Sequence, residues 1–226
     1  MTDVKELKIL AVDTSTQACS VSLKIGENSI TEFALTPQTH ANHVLSMVDK
    51  ALSKAKLSGV DVDYLALSEG PGAFTGVRIA AGVVQGLAFG WNKPVISIST
   101  LEALAWPMAK EVSSSPVVAC LDARMNELYI QVCLVQNGVL TSEPPQLLSE
   151  PDAITLCKKK GIDMATGDIE KEFPELVSIF NQWQGGVPSA ENVAIIASQR
   201  IAQAKSVLEV VPTPVYLRNN IAKKSK

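Results

Sequence analysis

The pattern of hydrophobic and polar positions divides the chain into alternating strands and helices. An apolar run over residues 7–12 ends at Asp13, and a polar turn separates it from a segment in which apolar and polar residues alternate up to Leu23. This pattern predicts a β-hairpin whose first strand is central in a sheet, because a strand that is apolar throughout is buried on both faces.

Two helices are predicted after the hairpin. Apolar residues recur at intervals of three and four over residues 41–56, and an almost wholly apolar segment covers residues 76–91. Shorter apolar runs predict strands at residues 64–68 and 94–98. The first half of the chain is therefore expected to combine a small sheet with long helices.

Polar residues indicate where two of the helices begin. Thr75 precedes the apolar helix and is expected to be its N-cap. Ser99 followed three residues later by Glu102 has the spacing of a capping box, which predicts the start of a third helix.

The pattern begins again after residues 113–116, the run Ser-Ser-Ser-Pro. Residues 118–132 align with residues 9–23 without a gap, and Asp122 falls on Asp13. Because hairpins of this kind also arise by chance, the alignment alone leaves an internal duplication open. We expect two α/β lobes, comprising residues 1–112 and 113–226.

The rest of the second half supports the same architecture. Helical spacing predicts helices at about residues 151–160 and 190–205, the latter with Ser189 as N-cap, and a strand at about residues 163–166. The basic tail, residues 223–226, is expected to be solvated.

Composition limits the functions that such a chain can perform alone. The 226 residues include 20 Lys and Arg against 23 Asp and Glu, and the mean hydropathy is +0.17. A net charge of −3 argues against independent binding of nucleic acid, which needs a concentrated basic surface, so any contact with RNA or DNA is expected to need a partner. The high apolar content suggests that some apolar surface belongs to a partner protein.

The sequence predicts neither a membrane-spanning helix nor a secretory signal. The longest apolar run, residues 77–91, contains Arg78 and Gln85 and is shorter than the roughly 20 residues of a membrane span. The N-terminus carries acidic residues where a secretory signal has positive charge, so a cytoplasmic location is expected. Four cysteines without metal-like spacing are expected to be buried reduced thiols: Cys19, Cys120, Cys133 and Cys157.

The two hairpin turns are candidates for nucleotide binding. In a fold with two lobes facing a cleft, such turns offer backbone N–H groups and hydroxyls to phosphates, and an aspartate can hold metal-bound water. Asp13, Thr14 and Ser15 suit this role better than Asp122 does. The alternative is that these residues only form tight turns. The glycine-rich segment 70–76 departs from the known phosphate-loop spacings.

Other catalytic or metal-binding patterns are weak. His40 and His43 lie three residues apart without a third ligand, so a solvated helix end is the preferred interpretation and no metal site is expected. No segment resembles a positioned nucleophile, and no catalytic residue is assigned.

The apolar helix carries three glycines four residues apart: Gly82, Gly86 and Gly90. Each costs roughly 1 kcal/mol relative to alanine, so close approach by another helix is the expected compensation. The approaching helix belongs either to the same lobe or to a second protein chain.

Four motifs together resemble the bacterial TsaB (YeaZ) family of tRNA threonylcarbamoyladenosine biosynthesis proteins. They occupy residues 9–15, 70–79, 121–125 and 214–218 in family order, and the most specific reads Gly-Pro-Gly-Ala-Phe-Thr-Gly-Val-Arg. The resemblance implies the two-lobed fold of actin, Hsp70 and sugar kinases (ASKHA), with a mixed sheet flanked by helices in each lobe.

The resemblance also implies a noncatalytic subunit without a cofactor. Its partners would be TsaD, which carries the transferase site, and the ATPase TsaE, while TsaC supplies the threonylcarbamoyl intermediate for adenosine 37 of tRNA. A homodimer is expected when the chain is alone. The contact with TsaD would use the first-lobe helices, and we assign to it an apolar stripe, an arginine and the glycines: Val44, Leu45, Val48, Leu52, Arg78, Gly82, Gly86 and Gly90.

Two rival functions stay open. An active ATP-using enzyme of the same fold would place Asp13, Thr14 and Asp122 around Mg-ATP; in the noncatalytic interpretation, these residues and Ser15 are vestigial nucleotide contacts. An RNA-binding subunit is disfavoured by the net charge.

Overall fold

The computed structural model describes residues 6–35 and 39–218 and shows two α/β lobes. The first half of the chain forms β1 (Lys8–Asp13), β2 (Ala18–Ile25), β3 (Asn28–Leu35), α1 (His40–Ala55), β4 (Tyr64–Gly70), α2 (Phe74–Trp91), β5 (Val95–Ser99) and α3 (Thr100–Val112). The second half forms β6 (Val117–Asp122), β7 (Glu127–Gln136), β8 (Val139–Ser142), β9 (Gln146–Ser149), α4 (Glu150–Lys160), β10 (Met164–Gly167), α5 (Pro174–Ser178), β11 (Gln182–Gly185) and α6 (Ala190–Ser198). Short 3-10 helices cover Gly59–Asp61 and Ile201–Gln203. The predicted basic tail lies outside the described residues.

The sheet of the N-terminal lobe has the order β3-β2-β1-β4-β5. β1 is central and fully apolar in its middle, as the sequence pattern predicts. It pairs antiparallel with β2, where Asp13 lies opposite Ser20, and parallel with β4. Parallel pairing of β4 with β5 follows from the crossover through α2.

The C-terminal lobe repeats this topology. Its sheet has the order β11-β10-β6-β7-β8, with β9 beside β7. β6 pairs antiparallel with β7 and parallel with β10, and β10 pairs parallel with β11. Strand β6 thus corresponds to β1 and Asp122 to Asp13, which confirms the repeated hairpin and the two-lobed actin-like class with a mixed sheet in each lobe. The gap-free alignment fails by one position in β7, because Asp13 pairs with Ser20 whereas Asp122 pairs with Leu128, so the second turn is one residue shorter.

The two lobes are joined by an apolar layer formed by α3 and α6. Helix α3 packs on β6 and β7, whereas α6, from the other half of the chain, packs on β1 and β2. The backbone N–H of Ala190 at the start of α6 donates to the hydroxyl of Ser20 over 2.8 Å. Each half of the chain therefore covers the sheet of the other, and the boundary after residue 112 stays a prediction.

The structure corrects three local expectations. Helix α2 begins at Phe74, so Thr75 lies within the first turn and does not cap it. Ser99 occupies the N-cap of α3, but its hydroxyl donates to Gln131 and makes no capping bond. Helix α6 ends at Ser198, not near residue 205, because Arg200 turns inward to an ion pair and Lys205 pairs with the edge strand β5.

A buried ion pair explains the missing capping box. The guanidinium of Arg200 binds both carboxylate oxygens of Glu102 over 2.7 Å each, and the hydroxyl of Ser142 donates to the same carboxylate. Glu102 is consequently committed to the junction between α3 and the segment after α6. An ion pair of this kind is weak evidence of added stability, because the desolvation of the charges offsets their attraction.

The cysteines and the apolar helix behave as the sequence predicts. All four cysteines are free and buried. Within the described residues, no helix combines the length and the apolar character required to cross a membrane.

Candidate functional site

The first aspartate turn is closed by its own hydrogen bonds. The Oδ1 atom of Asp13 accepts bonds from the backbone N–H and the hydroxyl of Ser15, over 2.9 and 2.8 Å. Its Oδ2 atom accepts a short hydrogen bond from the hydroxyl of Ser68 on β4. Asp13 is fully buried, and burial raises the pKa of its carboxyl above the ordinary value despite these bonds.

The glycine-rich segment lies directly on this turn. The Thr14 hydroxyl donates to the carbonyl oxygen of Gly76 over 2.7 Å, and the N–H of Ala73 donates to the carbonyl of Ser15 over 2.7 Å. A Cβ atom at Gly76 would stand 1.9 Å from the Thr14 oxygen, and one at Gly72 would stand 2.4 Å from the Ser15 oxygen. These glycines are required for close packing of the segment against the turn.

A cleft of about 1470 Å³ separates the lobes. Its walls include Ser15 and Asp122, whereas Asp13 and Thr14 do not line it. Of the four residues expected at vestigial nucleotide contacts, two are therefore turned into the protein. Nucleotide binding by the cleft stays a prediction.

The second aspartate turn has a different electrostatic character. Asp122 accepts a backbone bond from Arg124 over 2.7 Å and forms an ion pair with the Arg124 guanidinium over 2.8 Å. Asp168, which follows the parallel strand β10, accepts the N–H of Asp122 over 3.0 Å. Burial, followed by the charges of neighbouring carboxylates, raises the pKa of Asp168 to about 6.

A C-terminal segment, residues 212–218, runs along the mouth of the cleft. The Nε atom of Arg78 donates to the hydroxyl of Tyr216 over 2.7 Å, and the same guanidinium lies 3.6 Å from the ring centre of Phe74. Arg78, expected at the partner interface, is thus already engaged within the chain. Tyr216 and Arg218 both line the cleft.

The predicted partner face is only partly available. Val44, Val48 and Leu52 are buried in the core of the N-terminal lobe, where α1 covers the sheet, so their assignment to a partner surface is corrected. The stripe was misassigned because core-facing and partner-facing residues are both apolar. Leu45 lies at the edge of this buried stripe and is 53 % exposed.

The glycine ridge of α2, formed by Gly82, Gly86 and Gly90, is open. All three are exposed, and a Cβ atom at any of them would meet no atom within 4 Å. Phe89 beside the ridge is 72 % exposed. The helix that was expected to approach the ridge is therefore not found within the described part of this chain.

The histidines do not form a metal site. His40 is buried and its Nε2 atom lies 2.8 Å from the carbonyl oxygen of Thr16, so it is not the solvated residue that we expected. His43 is exposed. Among the described residues, no three His, Cys, Asp or Glu side chains cluster as metal ligands.

Sequence reasoning missed three residues around the cleft: Asp168, Tyr216 and Arg218. Asp168 follows a predicted strand, and this position was a usable signal because the carboxyl ends of parallel strands meet at one edge. Tyr216 and Arg218 fall within a family motif, but no local pattern indicates that Tyr216 contacts the N-terminal lobe or that Arg218 reaches the β6–β7 turn.

Comparison with known proteins decides the family. The TsaB protein of Escherichia coli, a tRNA threonylcarbamoyladenosine biosynthesis protein, is 35 % identical over 223 residues, which cover 96 % of each chain. The chain belongs to the TsaB family.

Further similarities agree with this family. TsaB of Haemophilus influenzae is 46 % identical over 126 residues, covering 56 % of this chain and 53 % of that one. A solved structure of YeaZ from Pseudomonas aeruginosa superposes with a TM-score of 0.79 at 32 % identity and covers 93 % of this chain and all of its own. Residues 34–177 match the family model described as TsaD, tRNA N6-adenosine threonylcarbamoyltransferase.

Proposed function

We propose that this TsaB-family chain is a noncatalytic cytoplasmic subunit that binds and activates the catalytic subunit TsaD. TsaE joins the pair, TsaC supplies the intermediate, and tRNA is bound through the complex. The chain contributes a surface onto which TsaD packs, and the threonylcarbamoyl transfer takes place on TsaD.

The open glycine ridge carries this proposal. Gly82, Gly86 and Gly90 weaken α2 by roughly 1 kcal/mol each relative to alanine, and no contact within the described chain compensates. A ridge without side chains lets a second helix approach closely, and Leu45 and Phe89 supply exposed apolar area. A helix of TsaD fits this surface, as does α2 of a second copy when TsaD is absent.

The first aspartate turn supports a noncatalytic role. The carboxylate of Asp13 is saturated by Ser15 and Ser68, and the segment with Gly72 and Gly76 occupies the space above the turn. A metal-bound nucleotide could reach Asp13 only if this segment moved away. The rival function, an ATP-using enzyme, predicts Mg-dependent ATP binding in the micromolar range with turnover by the isolated chain.

Calorimetry with purified TsaD tests the proposal. Gly86→Leu places a large side chain on the ridge and is expected to weaken TsaD binding at least about tenfold, because the partner backbone can no longer approach. The modification activity of the reconstituted mixture should fall with it. Lys158→Leu places the same leucine side chain on the exposed side of α4 and should leave TsaD binding unchanged.

Two outcomes would contradict the proposal. Unchanged TsaD affinity for Gly86→Leu would remove the glycine ridge from the interface. Full modification activity of TsaD in the absence of this chain would remove its activating role.

A further inference from the structure

We propose that the C-terminal segment 212–218 is a strap that locks the two lobes together across the cleft. The strap is fastened to the C-terminal lobe by Arg218, whose side chain binds a strained turn of that lobe. All of the contacts involved lie within the chain.

The first end of the strap is fastened to the N-terminal lobe. The amide Nε2 of Gln85 on α2 donates to the carbonyl oxygen of Pro212 over 2.6 Å, and the N–H of Val215 donates to the carbonyl of Glu69 at the end of β4 over 2.7 Å. Tyr216 then accepts the bond from Arg78, and its ring centre lies 5.7 Å from that of Phe74. Side-chain and backbone bonds thus hold the strap along α2.

The other end of the strap binds the C-terminal lobe through one guanidinium. Nη2 of Arg218 donates to the carbonyl oxygens of Ala123 and Arg124, over 3.2 and 3.1 Å, and forms an ion pair with Glu127 over 2.6 Å. Its Nη1 atom lies 3.2 Å from the sulfur of Met125. Ala123, Arg124 and Met125 lie in the turn between β6 and β7, and Glu127 is the first residue of β7, so one side chain contacts the turn and the strand that follows it.

This turn is strained. Arg124, Met125 and Asn126 have φ angles of 63°, 58° and 59°, three successive residues other than glycine in the left-handed region. Such a conformation is unfavourable for L-residues and persists where surrounding contacts impose it. The Met125 side chain is 81 % exposed and packs little. The contacts that hold the turn are therefore its own backbone bonds, from Ala123 to Glu127 and from Glu127 to Arg124, the bonds between Asp122 and Arg124, and the guanidinium of Arg218.

The geometry has a consequence for the cleft. Arg218 and Tyr216 line it from the strap, and Arg124 lines it from the turn. Release of Arg218 would let the turn relax and would remove the one described strap contact to the β6–β7 turn. The lobes would then be free to move apart about the apolar layer of α3 and α6.

Hydrogen exchange on the isolated chain tests the lock. In Arg218→Ala, amides of residues 123–127 and 213–217 are expected to exchange about tenfold faster, because a charge-assisted network has been removed. Arg218→Lys keeps the charge but loses the fork of bonds to two carbonyls, and it should give an intermediate change. Lys54→Ala removes a surface ion pair with Glu32 far from the strap and should alter neither segment.

The distance across the cleft provides a second measurement. Spin labels at Thr75→Cys and Lys171→Cys, both exposed and on opposite cleft walls, avoid the four buried native thiols. Adding Arg218→Ala should broaden the distance distribution toward longer values. Unchanged exchange at residues 123–127 would overturn the role of Arg218, and an unchanged label distance would overturn the locking of the lobes.

Discussion

The side-chain amide of Asn192 on α6 donates a 3.0 Å hydrogen bond to the carbonyl oxygen of Ala103 on α3. That carbonyl is the one left without a helical partner by Pro107, which lies inside α3 four residues later and has no N–H. A break in one interlobe helix is therefore repaired by the other helix. The bond links the two halves of the chain at their common apolar layer.

The contribution of the Asn192–Ala103 hydrogen bond to the free energy of unfolding is expected to depend on Pro107. Asn192→Ala should lower the free energy of unfolding by about 1 to 2 kcal/mol, because a partly buried carbonyl loses its donor. In the Pro107→Ala background, the restored helical N–H can satisfy Ala103, and the same substitution should cost at least about 0.5 kcal/mol less. Denaturant titration of the four proteins measures the coupling, and strictly additive effects would contradict it.

Two glycines of α2 should respond oppositely to alanine. Gly86→Ala is expected to stabilise the monomeric chain by about 1 kcal/mol, since its Cβ meets no atom and alanine favours the helix. Gly76→Ala should destabilise by about 3 kcal/mol, since its Cβ would collide with the Thr14 oxygen. Thermal unfolding below the concentration of dimer formation compares the two variants, and a destabilised Gly86→Ala would show that a neighbour already covers the ridge.

Asp168 should make the fold less stable as the pH rises from about 4 to about 6. Its pKa is about 6 in the folded chain and 3.8 ordinarily, so between these values the folded chain binds more protons than the unfolded chain. Asp168→Asn keeps an oxygen acceptor for Asp122 and removes the buried charge. It is expected to raise the free energy of unfolding at pH 7 by about 1 to 3 kcal/mol and to change it little at pH 3.

Chemical denaturation of both proteins at several pH values measures this difference. The measurement at pH 3, where both side chains are neutral, gives the part of the change in the free energy of unfolding that does not depend on pH. If the free energies of unfolding of the variant and the parent differ by the same amount at pH 3 and at pH 7, the raised pKa of Asp168 is contradicted.

The cysteines should be unreactive in the folded chain. Burial raises the pKa of Cys19 and Cys157 to about 11, and those of Cys120 and Cys133 well above the ordinary value. Since the thiolate is the reactive form, an aromatic disulfide reagent at pH 8 should detect almost no thiol before unfolding and four afterwards. Thr75→Cys, with its exposed position, serves as the positive control, and rapid labelling of the parent chain would indicate local opening.

Much of the fold follows from local patterns. Most strands and helices, the central position of β1 and the repeat of Asp13 by Asp122 are readable because burial on one or both faces leaves a period in the sequence. Strands β3, β8, β9 and β11 and helix α5 were not predicted, since they are short or only partly buried. The limits of this reading appear at Ser99 and Glu102: their spacing fits a capping box, yet stronger partners at Gln131 and Arg200 engage both side chains.

The candidate site was less predictable than the fold. The glycine ridge was recognised from its spacing, and its exposure is a finding of the structure. Val44 and Leu45 are adjacent and both apolar, but one is in the core and the other outside, and hydrophobicity alone does not distinguish them.

The sequence by itself therefore determined most of the elements, the two Asp-ended hairpins and the family. Only the tertiary structure decided that α3 and α6 each cover the sheet of the other half, that Asp13 is closed off from the cleft, and that Arg218 reaches the turn at Ala123. The physical reason is that periodicity reports what each residue buries, whereas these features depend on which distant residue it meets. Arg218 and Ala123 are 95 positions apart in the chain.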